Sequence, residues 1–241
     1  MREKVVGILG GMGPEATIDL FSRIVRRTHA KSDEDHLRII IDNNPKMPSR
    51  QDAILHGGES PVPAMCETAR NLERAGADFI IIGANTAHYF YDDVRKAVGI
   101  PVLHIIEEAA RETIRSVPGI KRVGVMATTA AMKIRLYEKS FEKFQIEVIA
   151  VPDLVQEQIQ KSIFSFKYDG ITEENVLSMV NAGRFLIGEG AEALIMGCTE
   201  IPVILQGQEF SVPIIDPNDA IAIAAVRFAK NQPDEPMTNG V

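Results

Sequence analysis

Cys198 stands between Gly197 and Thr199, directly after the apolar run 193–196. A thiol at the carboxyl end of a strand, on a turn near helix N–H donors, can have a depressed pKa and act as a base or nucleophile. The other cysteine, Cys66, falls inside a predicted helix and reads as a small buried apolar residue. Neutral donors gather at strand ends too. Asn85 and Thr86 follow the run 78–82, Thr128 and Thr129 follow 122–126, and Thr199 follows Cys198. Ser, Thr and Asn favour turns and caps for purely structural reasons, but several of them facing one cleft would suit a carboxylate. Arg50 and Lys167 are predicted loop cations, able to give charge-assisted hydrogen bonds to an anion.

Two further patterns carry less chemistry. Gly11-Met12-Gly13-Pro14-Glu15-Ala16 fits G-x-G-x-x-A between a strand and a helix, the arrangement that brings backbone N–H groups to a pyrophosphate. Pro14 fits a helix start equally well, and the favoured reading is a Gly-rich turn that lets a ligand approach closely. His29, His36, His56, His88 and His104 show no metal-ligand spacing. His88 and His104 lie near predicted strand ends and read as structural.

The elements that must position these residues alternate. Strands are predicted over 4–9, 37–42, 78–82, 102–105, 122–126, 147–150, 193–196 and 212–215. Helices are predicted over 14–30, 63–75, 107–116, 130–144, 153–164, 173–189 and 219–229, with a polar loop over 43–49. Continuous Val/Ile/Leu runs between helices argue for parallel strands buried on both faces. The expected fold class is α/β, with mainly parallel sheets flanked by helices and ligands beyond the strands' carboxyl ends.

The chain contains itself twice. Residues 76–86 (GADFIIIGANT) align with 190–200 (GAEALIMGCTE) at an offset of 114. Residues 100–103 align with 212–215 at an offset of 112, and 6–9 with 123–126 at an offset of 117. Three segments in one order with nearly one offset predict duplicated lobes related by a pseudo-twofold axis, with the active site between them. The expected boundaries are 1–105 plus a C-terminal helix over 217–230 for one lobe and 106–216 for the other, with a flexible tail over 231–241. In this alignment the partner of Cys198 is Ala84, a thiol opposite a methyl group.

Composition narrows the function classes. The 241 residues carry a formal net charge of −7 and 45% hydrophobic residues. An acidic chain without a Lys/Arg block is a poor match for nucleic acid, whose binding rests on phosphate pairing. No apolar run approaches the ~20 residues of a membrane span. The opening Met-Arg-Glu-Lys-Val-Val-Gly-Ile-Leu-Gly lacks a signal peptide's long apolar stretch. Two cysteines form no disulfide scaffold, so a reduced, cytoplasmic setting is expected.

The segments Gly10-Gly11-Met12-Gly13-Pro14-Glu15-Ala16-Thr17, Asn85-Thr86-Ala87-His88 and Gly197-Cys198-Thr199-Glu200-Ile201-Pro202 together resemble the aspartate/glutamate racemase family, over about residues 4–228. The resemblance implies two α/β lobes with a cysteine from each, facing opposite sides of the substrate α-carbon. One thiolate removes the α-proton and the other thiol delivers one. It implies no metal or organic cofactor, a small acidic amino acid as partner, and a homodimer. Carried onto this chain, Cys198 is catalytic and Ala84 occupies the other cysteine's position. Arg50 and Lys167 match the cations that hold a side-chain carboxylate in aspartate racemases. Met12, Asn85, Thr86, Thr128, Thr129, Thr199 and Glu200 match other substrate-binding positions. Three readings account for Ala84. It is an engineered replacement, a natural variant in which a water or Thr86 supplies the second proton, or the mark of a one-thiol enzyme like the related arylmalonate decarboxylases. The expected substrate is aspartate first and glutamate second. A one-thiol lyase and a non-catalytic acidic amino-acid binder are the alternatives.

Overall fold

A computed structural model describes residues 2–233. The predicted tail over 231–241 therefore falls mostly outside the described residues. At its start, the Asn231 side-chain amide donates to the Arg2 carbonyl (3.0 Å). The described residues divide into two compact units: residues 2–108 together with 218–233, and residues 109–217.

The first unit opens with β1 (Val6–Gly10) and α1 (Pro14–Arg27), followed by β2 (Ile39–Asn43), α2 (Arg50–His56) and α3 (Val62–Arg74). Then come β3 (Phe79–Ile82), a 3₁₀ turn over Thr86–Phe90, α4 (Tyr91–Ala97), β4 (Val102–Leu103) and the start of α5 (Ile105–Ser116). The second unit holds β5 (Arg122–Ala127), α6 (Thr129–Lys133), α7 (Leu136–Phe141), β6 (Glu147–Ile149), α8 (Asp153–Asp169), α9 (Glu173–Gly188), β7 (Ala193–Gly197), α10 (Ile201–Ile204) and β8 (Ile214–Ile215). The last helix, α11 (Pro217–Ala229), belongs to the first unit.

Each unit carries a four-stranded sheet, β2-β1-β3-β4 in one and β6-β5-β7-β8 in the other, with every pairing parallel. The repeat survives down to register. Val6 pairs with Phe79, and residues 117 and 114 further on, Val123 pairs with Ala193. Ile80 pairs with Val102 just as Leu194 pairs with Ile214. The central strands β1, β3 and β7 are buried along their whole length, as helices on both faces require. Phe79, Ile80 and Leu72 anchor the first core; Ile159, Leu186 and Leu194 anchor the second.

Three expectations are corrected. The loop after β2 leads into an unpredicted helix, α2, which has no fully buried side chain and packs only Ala53 and Ile54, partly buried, against the first core. It is specified at its ends. Ser49 accepts a hydrogen bond from the Asp52 N–H (3.2 Å), and Gly57 closes it in the left-handed region. The single helix predicted over 130–144 is two, broken at Arg135, which adopts φ 55°. The helix predicted to end at 164 continues to Asp169 and stops at Gly170 with φ 70°. Arg50 and Lys167 are accordingly helical residues, at the first position of α2 and in the last turn of α8.

Candidate active site

Most of the residues singled out in the sequence lie on turns that follow strands, one set in each unit, while Lys167 sits in the last turn of α8 and Cys66 within α3. In the first unit, β1 ends in a glycine turn. Gly11 has φ +93°, and a Cβ there would run into the Asn44 backbone, so only glycine fits. The Thr17 hydroxyl accepts from the Gly11 N–H (2.9 Å) and donates to the Gly13 carbonyl (3.1 Å). A backbone donor that a pyrophosphate would use is thus already satisfied. Met12 is buried in the same apolar cluster as Met47 and Ala84.

β3 leads through Ala84 and Asn85, both buried, into the turn beginning at Thr86. His88 holds this turn in place. The Ile105 N–H donates to its Nε2 (3.1 Å), so the ring proton sits on Nδ1, 2.9 Å from the Ala84 carbonyl. Burial, followed by the neighbouring His104, pushes the His88 pKa down to about 3. His88 is therefore a neutral bridge between the β3 turn and the start of α5, in keeping with a structural reading.

Arg50 is partly withdrawn from water, and burial pulls its guanidinium pKa down. Its one hydrogen bond among the described residues is to the Pro48 carbonyl (3.3 Å), with no carboxylate beside it. A desolvated guanidinium without a counter-charge favours an anion.

The second unit concentrates its polar groups around β7 and β5, whose ends meet at the paired residues Gly197 and Ala127. Gly197 has no room for a side chain, since a Cβ would lie 2.5 Å from the Tyr137 hydroxyl oxygen. The next residue, Cys198, donates its thiol proton to Glu200 Oε2 (2.9 Å). Thr199 Oγ1 donates to the same oxygen (2.9 Å), and Lys167 Nζ lies 3.2 Å from Oε1.

Burial, and then the Glu200 carboxylate, push the Cys198 thiol well above its ordinary range. The depressed pKa expected from position at a strand end is therefore corrected. Burial also pushes the Glu200 carboxyl up, but the Cys198 hydrogen bond, Lys167 and Thr199 outweigh it, so the carboxyl sits below its usual range. At neutral pH the proton rests on sulfur and the charge on Glu200. The thiol is a proton donor as it stands. It becomes a base only by passing that proton to Glu200.

On the turn after β5, the Thr128 side chain accepts from the Ala131 N–H (3.3 Å), capping α6. Thr129 is held by α8. Its N–H donates to Gln160 Oε1 (2.6 Å), and Gln156 Nε2 donates to the Ala127 carbonyl (3.0 Å) and to Thr129 Oγ1 (3.4 Å). Sequence reasoning missed both glutamines. Their spacing with Lys167 on one helix face was the available signal, and such a face reads equally well as solvated. Cys66 is buried within α3, with Sγ 3.6 Å from the Asp93 carbonyl. Among the described residues, no group of three His, Cys, Asp or Glu could hold a metal, and no helix is long and apolar enough to cross a membrane.

Residues 9–225 match the family described as Asp/Glu/Hydantoin racemase. The chain belongs to this racemase family. It is 28% identical to the broad specificity amino-acid racemase RacX of Bacillus subtilis (strain 168), over 92% of this chain and 96% of that protein. Among solved structures, the Picrophilus torridus aspartate racemase superposes with a TM-score of 0.78 at 30% identity, covering 94% of each chain. An aspartate racemase homologue from Pyrococcus horikoshii OT3 gives 0.78 at 25% identity, covering 95% of this chain and 99% of that one. The duplicated α/β fold is that of the racemase family.

Proposed function

We propose that the protein removes and returns the α-proton of an acidic amino acid, aspartate first and glutamate second, without an organic cofactor. The Cys198–Glu200–Lys167 array carries this reading. Glu200 takes the thiol proton, and the thiolate then takes the α-hydrogen as a proton. The electron pair stays on the α-carbon and spreads into its carboxylate. Neutral donors at Asn85, Thr86, Thr128 and Thr129 would stabilise that charge, while the Thr199 hydroxyl is engaged by Glu200. Arg50 is the proposed seat of the distal carboxylate, because its guanidinium is desolvated and has no acidic partner. The chain's similarity to an aspartate racemase supports aspartate as first choice.

Lys167 enters with a changed role. The resemblance made it a substrate cation, but its ammonium is engaged by Glu200. We assign it to holding Glu200 ionised and in place, while Glu200 serves the thiol.

Ala84 has no proton to exchange, so complete inversion needs a water or Thr86 to serve the second face. Protonated Cys198 together with the methyl of Ala84 also favours a second reading, a one-thiol lyase that protonates a carbanion from one face. One experiment separates them. L- and D-aspartate are incubated in D₂O and followed by NMR with this chain, with Ala84→Cys and with Cys198→Ser. The proposal expects α-deuteration by this chain, increased inversion in Ala84→Cys, and loss of about 10²-fold or more in Cys198→Ser. Unchanged exchange in Cys198→Ser would sink it. Silence toward aspartate and glutamate, with carbon dioxide release from an arylmalonate, would select the lyase.

A further inference from the structure

One face of α8 spans both turns of the second unit. Gln156 and Gln160 reach the turn after β5, and Lys167, two turns of helix beyond Gln160, reaches Glu200 on the turn after β7. Residues four and seven apart share a helix face. The donor nitrogens of Gln156 and Lys167 have partners in these contacts. That of Gln160 has none among the described residues.

Its amide oxygen accepts from the Thr129 N–H at 2.6 Å, which fixes the orientation of the amide. Its Nε2 is consequently a donor with a defined direction. That nitrogen is buried and has no hydrogen-bond partner among the described residues. A buried donor left unsatisfied is costly, so such a group calls for an explanation. The neighbouring Thr129 hydroxyl accepts from Gln156, and its own proton is given to no described residue. Two neutral donors thus meet at the turn after β5, Thr129 on the turn and Gln160 reaching it from α8, in the unit that carries the thiol.

We infer that Gln160 is a substrate-binding residue, its Nε2 donating with the Thr129 hydroxyl to a carboxylate oxygen. The inference rests on the reading of the site as one for an acidic amino acid, and it adds a ligand that the strand-end motifs do not contain. Neutral donors suit this position. The positive charge of Lys167, on the same helix face, is already matched by Glu200. Because the nitrogen is closed to solvent, binding has to part the packing over it.

Gln160→Glu tests this closely. It keeps an acceptor for the Thr129 N–H and replaces the donor by an oxygen that repels a carboxylate. Gln160→Met, uncharged and of similar length, guards against misfolding of the first variant. The full-length protein is titrated calorimetrically with L-aspartate, D-aspartate and malonate, and the side-chain amide of Gln160 is followed by ¹⁵N NMR. The expected result is about tenfold weaker binding or worse in both variants, with a shifted Gln160 amide signal in the wild type. Unchanged affinity in both variants, an unmoved amide at saturation, or no carboxylate binding by the wild type would each overturn the inference. Carboxylate binding lost in the variants, with no α-proton exchange by any form, would support Gln160 and reject the racemase reading. Exchange unaffected by both substitutions would do the reverse.

Discussion

The thiol of Cys198 is kept protonated by burial and by the carboxylate it faces. Glu200→Gln removes that negative charge while keeping the shape of the side chain. Thiolate is the reactive form, so alkylation of Cys198 by iodoacetamide at pH 8 should accelerate, by about tenfold for each unit the pKa falls. Proton exchange should fall by about 10²-fold as the base is lost. Cys66, held up by its own burial, is an internal reference in the same digest. An unchanged alkylation rate would show that Glu200 does not govern the thiol.

His88 makes a different test at the same scale. Its folded pKa of about 3 lies below the ordinary 6.5, so the unfolded chain binds the proton first as pH falls. The contribution is complete above pH 6.5 and is lost between there and about pH 3, at up to ~1.4 kcal/mol per unit. The urea midpoint should therefore drop more between pH 7.5 and pH 5 in the wild type than in His88→Gln. Equal drops would mean that the imidazole titrates normally.

At the scale of elements, the α8–α9 hairpin sets where Lys167 and Gln160 point. Its turn is closed by Asn175, which accepts from the Thr172 N–H (2.9 Å) and donates to the Gly170 carbonyl (2.9 Å), while Thr172 accepts from the Asn175 N–H (3.2 Å). Asn175→Ala should cost about 1–2 kcal/mol in denaturant unfolding. β7 depends on a close approach. Gly197→Ala should destabilise by about 1–3 kcal/mol, and adding Tyr137→Phe, which removes the atom nearest the new methyl, should restore part of it. No recovery in the double variant would place the strain elsewhere. The parallel strands were legible in sequence because burial on both faces leaves long apolar runs. α2 was not, because it is short and its apolar side chains Ala53 and Ile54 are only partly buried, and the break at Arg135 was not, because no Gly or Pro marks it. Cys198 was legible from the repeat. Its bond to Glu200 and the contacts of Gln156 and Gln160 depend on how side chains fold back across a turn, which residue types and spacing leave open.

At the scale of the molecule, the first unit is discontinuous. α11 returns to it, with Ile221, Ala222 and Ala225 buried and Phe228 set edge-on against Phe79 of β3 at 4.8 Å. Asp219 pairs with Arg27 at the end of α1, and Lys4 lies over the Phe228 ring. A chain ending at Ile215 should lose amide protection in β1 and β3 under hydrogen exchange while β5 and β7 keep theirs; uniform loss would show that both sheets need α11. The same connectivity orders events on the ribosome. Nascent domains usually fold in the order in which they are made. Here the strands of the first sheet emerge early with α1 and α3 to pack on them, but their covering is completed only when the residues after 217 have been added, by which time the whole second unit has been synthesised. The lobe that starts first closes last, and its exposed strands are where a nascent-chain chaperone would be expected to bind.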